Sequence, residues 1–480
     1  MYLLDDIEHF AAAKPDAWAL IHPQFRITWK HFNNLIHICA SFISNNGIRR
    51  DSIVGISQTK SLLNLIISLA LMKLGISFID VSDNEIKFLE TKQKLKIAYV
   101  ISDRTDSFHG TPVIKIESIS DFINVKDIFK SKLSTSELAS FFIKTSGTTG
   151  KPKFISLTQA KISARFDTYS TSLSFGESDL FWTPVSINFS SAKLRYFAAI
   201  HGGATSVIGC RLNPQSITFL DSIGITKMFC TPSQLLKLVE IGIPLPTLNC
   251  ISASTSFISE KLRKEFKSIV SNNLYVVYGT SESGVVTEAD PLVQSKSPNT
   301  VGIAYPGAQV QIVDTNDLIV PAGVVGNIRL KSPGLCEGYF QDLSMSELNF
   351  REGWFYPGDL GYFDTESSLI LLGRSDDMLI FDGMNIHPIE IEDSLGAHHG
   401  VIEAVAFSVP HERYGEVPVA AVITRGNVSE VELINYCIPY LGPKTPRRIF
   451  ITEEFPRNEM GKVLRKELTN IYSGQLLDSM

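Results

Sequence analysis

Short apolar runs alternate with helix-like segments along most of this 480-residue chain. Ser61–Leu74 has the length and composition of a helix, and Gly75 follows it as a typical C-terminal residue. Its apolar stretch is too short to cross a bilayer, so we expect a core helix. Strands that alternate with helices are typical of layered α/β folds with largely parallel sheets. The predicted strands are Ser52–Ser57, Ser77–Val81, Lys96–Ser102, Ser140–Lys144, Ile225–Phe229 and Leu274–Tyr278.

The chain changes character after Gly373, where a short charged segment precedes a small α+β unit. We therefore predict an α/β protein with a large N-terminal domain of layered α/β sheets, residues 1–375, and a small, mobile α+β domain, residues 376–480. A domain near the low end of domain sizes is expected to have a modest, movable interface with the large one. The elements predicted in the small domain are the strands Ala404–Val409, Val419–Thr424 and Arg448–Glu453 and a helix over Glu430–Tyr440.

Composition excludes several classes of function. A formal net charge of −6 gives no electrostatic basis for binding nucleic acid or an anionic membrane. The N-terminal residues lack a basic region followed by an apolar run, so we expect no signal peptide. The six cysteines are scattered without a Cys-x-x-Cys pair, which argues against a zinc site or a disulfide framework. These features favour a cytoplasmic protein with buried or partly buried thiols.

A loop rich in glycine, hydroxyl and ammonium groups follows the apolar run Phe141–Ile143. Its glycines permit backbone angles that aim N–H groups at one point, so the loop could cradle phosphate oxygens. It is not a Walker A loop, because only two residues separate the glycines and a proline follows the first lysine. A solvated hairpin is the alternative. The loop comprises Thr145, Ser146, Gly147, Thr148, Thr149, Gly150, Lys151, Pro152 and Lys153.

Two further segments combine a turn with groups that suit a nucleotide. Tyr278 could stack on a base, and Glu282, four residues later, could hold Mg²⁺ together with phosphate oxygens. A strand that ends in a capped turn is the alternative there. Asp359 lies in a glycine-flanked turn and could accept two ribose hydroxyls, although turn aspartates commonly bond their own backbone.

Three segments complete the series: Gly373–Asp377, Gly383–Glu392 and Pro456–Arg465. A lysine that follows a glycine, as Lys462 does, is ordinarily only a surface lysine. In this order, however, the segments together resemble the adenylate-forming superfamily, which includes acyl- and aryl-CoA synthetases, peptide-synthetase adenylation domains and firefly luciferase. The resemblance runs from about Ala70 to the C-terminus.

The resemblance implies that ATP and Mg²⁺ are bound. The Thr145–Lys153 loop would cover the β- and γ-phosphates, and Tyr278 would stack on adenine. Asp359 would hold the ribose hydroxyls with help from Arg374.

The resemblance also implies a catalytic set. Ser281 would lie beside the α-phosphate, Glu282 would bind Mg²⁺, and Lys462 would reach the α-phosphate and the substrate carboxylate. Asp376 matches the hinge about which the small domain turns.

The chemistry explains why such groups are needed. The resemblance implies that the protein joins a carboxylic acid to AMP, as an acyl-adenylate. Attack of the substrate carboxylate on the α-phosphate of ATP brings two anions together, and cations stabilise the charge that develops. No general base is needed, because a carboxylate is already ionised at pH 7. A hinge lets one small domain serve first adenylation and then transfer to a thiol.

Two departures from the family pattern concern the second step and the ribose site. Ile380 stands where many members carry a lysine that faces the site during transfer, and Pro357 replaces a common threonine. Pro388 within Gly383–Glu392 is typical of CoA ligases, which favours CoA as acceptor. The alternative acceptors are a carrier-protein phosphopantetheine thiol and an amine. The alternative class is a nucleotide-binding protein without catalysis. A kinase is disfavoured because its loop set is missing.

The acid site is expected between Phe181 and Thr205 and near Ser252–Thr255. The segment from Asn188 to Leu194 is similar to aryl-acid activating members, which favours an aromatic or other compact acid. An amphipathic helix start with a solvated lysine is the alternative. The predicted acid contacts are Asn188, Phe189, Lys193, Ala253 and Ser254.

Overall fold

A computed structural model describes residues 2–104, 108–124, 139–145, 152–167, 170–411, 415–458 and 461–473. The helices, in chain order, are α1 Leu3–Ala13, α2 Trp29–Asn45, α3 Ser61–Leu74, α4 Glu85–Leu95, α5 Gln159–Phe166, α6 Ser190–His201, α7 Pro214–Ser222, α8 Pro232–Ile241, α9 Glu260–Ile269, α10 Pro291–Lys296, α11 Leu343–Asn349, α12 Pro388–Ala397, α13 Glu430–Leu441 and α14 Arg465–Tyr472. Single 3₁₀ turns occupy Ile119–Asp121, Ser375–Asp377 and Gly442–Lys444.

The strands lie mostly between these helices, as the alternating pattern predicted. They are β1 Trp18–His22, β2 Phe25–Thr28, β3 Ile53–Ser57, β4 Ser77–Asp80, β5 Tyr99–Ser102, β6 Val113–Lys115, β7 Ser140–Thr145, β8 Lys153–Thr158, β9 Leu180–Trp182, β10 Thr205–Val207, β11 Lys227–Cys230, β12 Cys250–Ala253, β13 Leu274–Thr280, β14 Gly284–Ala289, β15 Ile303–Ala304, β16 Gln309–Val313, β17 Gly326–Lys331, β18 Phe350–Arg351, β19 Trp354–Phe355, β20 Asp359–Phe363, β21 Leu369–Arg374, β22 Leu379–Phe381, β23 Met384–Ile386, β24 Val401–His411, β25 Gly415–Thr424 and β26 Ile449–Ile451.

Two largely parallel sheets form the body of the large domain. The first has the order β15-β14-β13-β12-β11-β9-β10-β1-β2, with parallel pairing from β13 to β1 and antiparallel strands at both edges. The second has the order β6-β5-β3-β4-β7-β8, and β7 with β8 is its antiparallel pair. All four residues of β11 and of β12 are buried, as expected for central strands covered on both faces.

Helix α3 joins the two sheets. It packs on α2 and on β3 and β4 of the second sheet, while α2 also contacts β1 of the first. Because both of its faces are covered, α3 is apolar almost all round, and it ends at Gly75 in the left-handed conformation at φ 72°. The predicted core helix over Ser61–Leu74 is confirmed to the residue.

A third, antiparallel sheet carries the chain toward the small domain. Its order is β18-β19-β17-β20-β21, and β16 pairs with β17. In the register of β20 with β21, Asp359 lies directly opposite Arg374. Two residues that are distant in sequence are thereby placed side by side.

The small domain has its own hydrophobic core. That core begins at Leu379, whereas the core of the large domain ends at Leu369, so the 3₁₀ turn that contains Asp376 lies between the two cores. The small domain is built from the β22–β23 hairpin and the sheet β24-β25-β26, covered by α12, α13 and α14. The predicted α/β class with a smaller C-terminal α+β unit is confirmed.

Several element boundaries differ from the prediction. Lys96 is not in a strand, because it adopts the left-handed conformation at φ 54° and terminates α4; β5 therefore starts at Tyr99. Ile225 likewise is not in a strand, because its N–H bonds Leu220 O at 3.0 Å in the turn that closes α7; β11 therefore starts at Lys227. The hairpin β24–β25 is longer at both ends than predicted.

All six cysteines are free thiols, and five of them are buried. Among the helices that the structure describes, none has the length and apolar character needed to cross a membrane.

Candidate active site

A cleft of about 1740 Å³ runs between the two domains and over the carboxyl ends of the central strands. The large domain contributes the residues that follow β11, β12 and β13, and the small domain contributes the segment around Lys462. Open α/β sheets bind ligands at this edge, because every parallel strand delivers its next loop there. Most of the predicted site residues are therefore brought together.

Tyr278, Asp359 and Arg374 form one cluster in the cleft. The Tyr278 hydroxyl donates to Asp359 Oδ2 at 2.6 Å, and Arg374 Nη1 lies 3.8 Å from Asp359 Oδ1. Burial raises the pKa of Asp359, while the Tyr278 hydrogen bond and the charges of Arg374 and Lys462 oppose that shift. The cluster therefore holds a carboxylate close to the cleft, with positive charge from both domains nearby.

Arg374 also connects this cluster to the predicted hinge. Its Nε donates to Asp376 Oδ1 at 2.9 Å, and its Nη1 donates to the Pro357 carbonyl. The Ser375 N–H bonds Gly358 O at 2.8 Å, which fixes the turn after β21 against the turn before β20. The proline at 357 is accommodated, since its carbonyl is the group that Arg374 uses.

Glu282 is buried at the end of β13, with 7% of its surface exposed. Arg165 donates to the backbone carbonyls of Ser281 and Glu282 at 3.0 and 2.8 Å, so the turn is fixed through its main chain. The Glu282 carboxylate accepts a bond from the Tyr339 hydroxyl at 3.2 Å. Its remaining acceptor sites are left for another partner.

Lys153 lies near Glu282, and the sequence analysis did not single it out as a contact. Its Nζ is 4.8 Å from the centroid of the Tyr339 ring. Burial lowers the pKa of Lys153, and the charge of Glu282 opposes this shift. Lys153 ends the glycine-rich loop that the sequence predicts to bind phosphate, whereas Tyr339 lies in none of the segments that predicted the site.

The predicted phosphate loop is described only at its two ends. Thr145, at the end of β7, pairs with Lys153, at the start of β8, in an antiparallel register. Thr145 and Lys153 both line the cleft. Ser146, Gly147, Thr148, Thr149, Gly150 and Lys151 lie outside the described residues.

Lys462 reaches the cleft from the small domain and is exposed. Its N–H bonds Asn458 Oδ1 at 3.0 Å, and Asn458 N–H bonds Lys462 O at 2.9 Å, which closes a tight turn. Gly461 has a φ of +80°, and a Cβ there would lie 3.0 Å from Ser233 Oγ of the large domain. Glycine is therefore required both by the turn and by close contact between the domains.

The acid end of the cleft is backed by a buried polar network. Lys193 is fully buried, and its Nζ lies 2.7 and 2.6 Å from the two carboxylate oxygens of Asp80. Asn64 of α3 donates to Asp80 at 2.9 Å and to Asn188 Oδ1 at 2.8 Å. Asn188 and Asp80 line the cleft, but Lys193 lies behind them.

The other predicted acid contacts also divide into residues that line the cleft and residues that do not. Phe189, the residue that precedes α6, and Ser254, which follows β12, both line the cleft. Ala253 is fully buried within β12 and does not line it. Lys193 also does not reach solvent, contrary to the alternative of a solvated lysine at the helix start.

The layered sheets and the shared cleft define an α/β protein with a large N-terminal and a smaller C-terminal domain, both of which line the cleft. The family model described as AMP-binding enzyme matches residues 7–340, and the AMP-binding enzyme C-terminal domain matches residues 390–462. The chain belongs to the AMP-binding enzyme family, within the adenylate-forming superfamily that the sequence resemblance predicted.

Relatives match over nearly the whole chain. Oxalate–CoA ligase from Arabidopsis thaliana is 25% identical, with 96% of each chain covered. 2-Succinylbenzoate–CoA ligase from Bacillus mycoides is also 25% identical and covers 95% of this chain and 96% of its own.

Solved structures share the fold. The o-succinylbenzoate CoA synthetase from Bacillus subtilis, in complex with an acyl-adenylate, has a TM-score of 0.85 at 22% identity, with 96% of this chain and 97% of the other covered. ATP-bound MatB from Rhodopseudomonas palustris has a TM-score of 0.87 at 20% identity, with 98% and 99% covered.

Proposed function

We propose that this protein is an ATP-dependent acid–CoA ligase that forms an acyl-adenylate and then an acyl-CoA thioester. The observation that carries the proposal is the meeting of two groups in one cleft: the Tyr278–Asp359–Arg374 cluster of the large domain and Lys462 of the small one. The full-length relatives named as CoA ligases support the choice of reaction.

Each residue of the cluster has a role that its position supports. Tyr278 offers an aromatic face for adenine while its hydroxyl bonds Asp359. Asp359 keeps one carboxylate oxygen for the ribose hydroxyls, and Arg374 stabilises its charge. The Thr145–Lys153 loop, whose end residues Thr145 and Lys153 line the cleft, would cover the β- and γ-phosphates.

The donor set at Glu282 fits Mg²⁺ only together with the nucleotide. Among the described residues there is no group of three or more metal-ligating side chains. Mg²⁺ commonly uses one or two carboxylates and completes its shell with phosphate oxygens and water, and Glu282 offers one such carboxylate. When bound, the ion would neutralise charge on the phosphates.

In the first step a carboxylate oxygen of the acid bonds the α-phosphorus, and pyrophosphate leaves. Lys462 would stabilise the negative charge that develops between them. In the second step the CoA sulfur bonds the acyl carbon, the thiol proton is lost to solvent, and AMP leaves with the electrons of the broken C–O bond. The contact of Gly461 with Ser233 supports the view that the described pose is the adenylating one.

The second step is proposed to follow rotation of the small domain about Asp376. In that pose a different face of the small domain meets the acyl group. Ile380, on β22, is 58% exposed and so is available to such a face without the charge that many relatives carry there. The acid is proposed to be aromatic or otherwise compact.

Acid-dependent exchange of labelled pyrophosphate into ATP tests the first step with a panel of aryl and short acyl acids. Mass spectrometry of the products, with CoA, a phosphopantetheinylated carrier protein or an amine added, tests the acceptor. Thioester formed with CoA alone supports the proposal. Exchange that leads only to carrier-bound or amide product would replace CoA as acceptor, and no exchange with any acid would overturn the proposal.

A further inference from the structure

One buried arginine in the cleft is not used by the chemistry described above. Arg195 lies on α6 and lines the cleft, yet only 5% of its surface is exposed. Its guanidinium carbon lies 3.5 Å from the centroid of the Phe229 ring, so one face of the group is covered. Its Nη1 bonds Ser191 O at 3.0 Å, within its own helix.

Among the residues that the structure describes, no partner accepts a hydrogen bond from the remaining donors of Arg195. Its Nε is buried without a hydrogen bond. Within the described part of the chain, no carboxylate forms an ion pair with Arg195. Burial lowers the pKa of Arg195 to about 9, and the nearby Cys250 thiol is the one group that opposes this shift. The guanidinium still carries its charge at neutral pH.

Two other buried arginines show what a structural guanidinium looks like in this protein. Arg165 donates to three backbone carbonyls, those of Gly334, Ser281 and Glu282. Arg263 also lines the cleft and has a buried Nη2 without a hydrogen bond, but it donates to two carbonyls and faces the carboxylates of Asp393 and Glu260. Arg195 has one such bond and no carboxylate, although a buried charge is expensive to leave unpaired.

We propose that Arg195 binds a second carboxylate of the acid substrate, so that this ligase activates a compact dicarboxylic acid. The inference rests on the proposed acid-activating function and adds the substrate class. A guanidinium offers a planar pair of donors that matches a carboxylate, and such charge-assisted bonds are strong.

The strand order indicates how far apart the two carboxylates of that acid would lie. Phe229, beneath Arg195, lies on β11, and the nucleotide-binding turn follows β13, with β12 between them in parallel register. Two strand spacings amount to roughly 10 Å, and side chains that reach into the cleft shorten the gap. A ring or short chain between two carboxylates suits this separation, whereas a long fatty acid does not.

The test uses pairs of acids that differ only by the second carboxylate: benzoate with terephthalate, and pentanoate with adipate. In pyrophosphate exchange by the wild-type protein, the better diacid should exceed its monoacid in kcat/KM by roughly ten- to a hundredfold. This comparison needs no variant. Equal or better use of the monoacids would overturn the inference while leaving the proposed function standing.

The variant Arg195→Met should reduce kcat/KM for the diacid to the level of the monoacid, with the KM for ATP unchanged. Arg195→Lys should recover part of the preference, since it restores the charge without the planar pair of donors. Arg263→Met is the matched control, because it also removes a buried guanidinium and should leave the diacid-to-monoacid ratio intact. A ratio retained in Arg195→Met would overturn the assignment. If none of the acids supported exchange, the proposed function itself would be overturned.

Discussion

Asp359 at the nucleotide end of the cleft and Asp80 at the acid end are both held by cations, but in different surroundings. Asp80 and its partner Lys193 have side chains 7% and 0% exposed, and each is bonded mainly to the other and to nearby polar groups of the core. Asp359 and Arg374 are 14% and 30% exposed, and their closest charged atoms are 3.8 Å apart. The first pair is closed, whereas the second leaves hydrogen-bonding capacity for a ligand.

The difference separates structural from functional charge within one cleft. A closed pair should matter to stability, because removing one partner strands the other in the core. An open pair should matter to nucleotide binding and its pH dependence. The variants below test the Asp80–Lys193 pair for its effect on stability and the Asp359–Arg374 pair, with its surroundings, for its effect on activity.

The largest effect is expected for Lys193→Met. Loss of the ammonium leaves the Asp80 carboxylate buried without its counterion, so the free energy of unfolding should fall by about 3–5 kcal/mol. Urea unfolding measures this change. The double variant Asp80→Asn with Lys193→Met should recover most of the loss. A single variant as stable as wild type would show that the pair contributes nothing, and the contrast with Asp359 would fail.

Lys462→Ala comes next and tests the group that the small domain brings to the open end. Loss of one donor of charge to a transition state is typically worth about 3–4 kcal/mol, or roughly a hundred- to a thousandfold in rate. Pyrophosphate exchange should fall by that factor. Transfer from chemically supplied acyl-AMP to CoA should persist, because the small domain has then turned about Asp376.

The exposed Lys264→Ala is the control for Lys462, since its ammonium pairs only with Glu260 on the surface of α9. It should leave both steps unchanged. Equal damage to both steps in Lys462→Ala would contradict the two-pose mechanism and, with it, the hinge role of Asp376.

Arg374→Gln sharpens the comparison through pH. Burial raises the pKa of Asp359, and the Arg374 charge opposes that shift, so removing the charge should raise this pKa further. Asp359 then takes up its proton at a higher pH. The acid-side rise in the KM for ATP should therefore begin at a higher pH in the variant than in wild type. In Asp359→Asn that rise should be absent, and an unshifted profile in Arg374→Gln would argue against a role for Asp359 in binding ribose.

The smallest effect concerns Asp393, on α12 at the domain interface. Burial, followed by the charge of Glu392, raises the pKa of its carboxyl to about 7, although Arg263 opposes the shift. A raised folded-state pKa means that the native protein binds the extra proton. Stability attributable to this group is therefore lost as pH rises through about 7. Urea unfolding between about pH 5 and pH 8 should show this decline in wild type and a flatter profile in Asp393→Asn. Parallel profiles would remove Asp393 from the pH response.

The meeting of Tyr278, Asp359 and Arg374 in one cleft could be predicted from the sequence because these residues lie in recognisable segments near the ends of strands. Tyr278 and Asp359 each lie at a strand terminus, and topology brings such termini together. The acid end could not be read in the same way. Lys193 pairs with Asp80 across 113 residues, between a helix beside one sheet and a strand of the other, and no local spacing reveals such a partner.

The dependence on contacts between distant parts of the chain also explains the other differences between the predicted and the observed acid contacts. Ala253 was expected at the acid site as part of the segment Ser252–Thr255, but it is the last buried residue of β12, and the cleft begins at Ser254. Arg195 stands two residues from Lys193 on α6, yet one lines the cleft and the other does not. Which face of a helix meets a cavity depends on how the sheets are placed, which is a tertiary property.

Arg374 donates to Asp376, in the turn between the two domain cores, and to the Pro357 carbonyl, and its charge lies 3.8 Å from Asp359 in the cluster with Tyr278. If the small domain turns about Asp376 as proposed, the turn would alter what Arg374 offers to Asp359, and nucleotide bound at Asp359 would alter what it offers to Asp376. Such coupling is reciprocal: the ligand that favours one domain position is held more tightly in that position by the same factor.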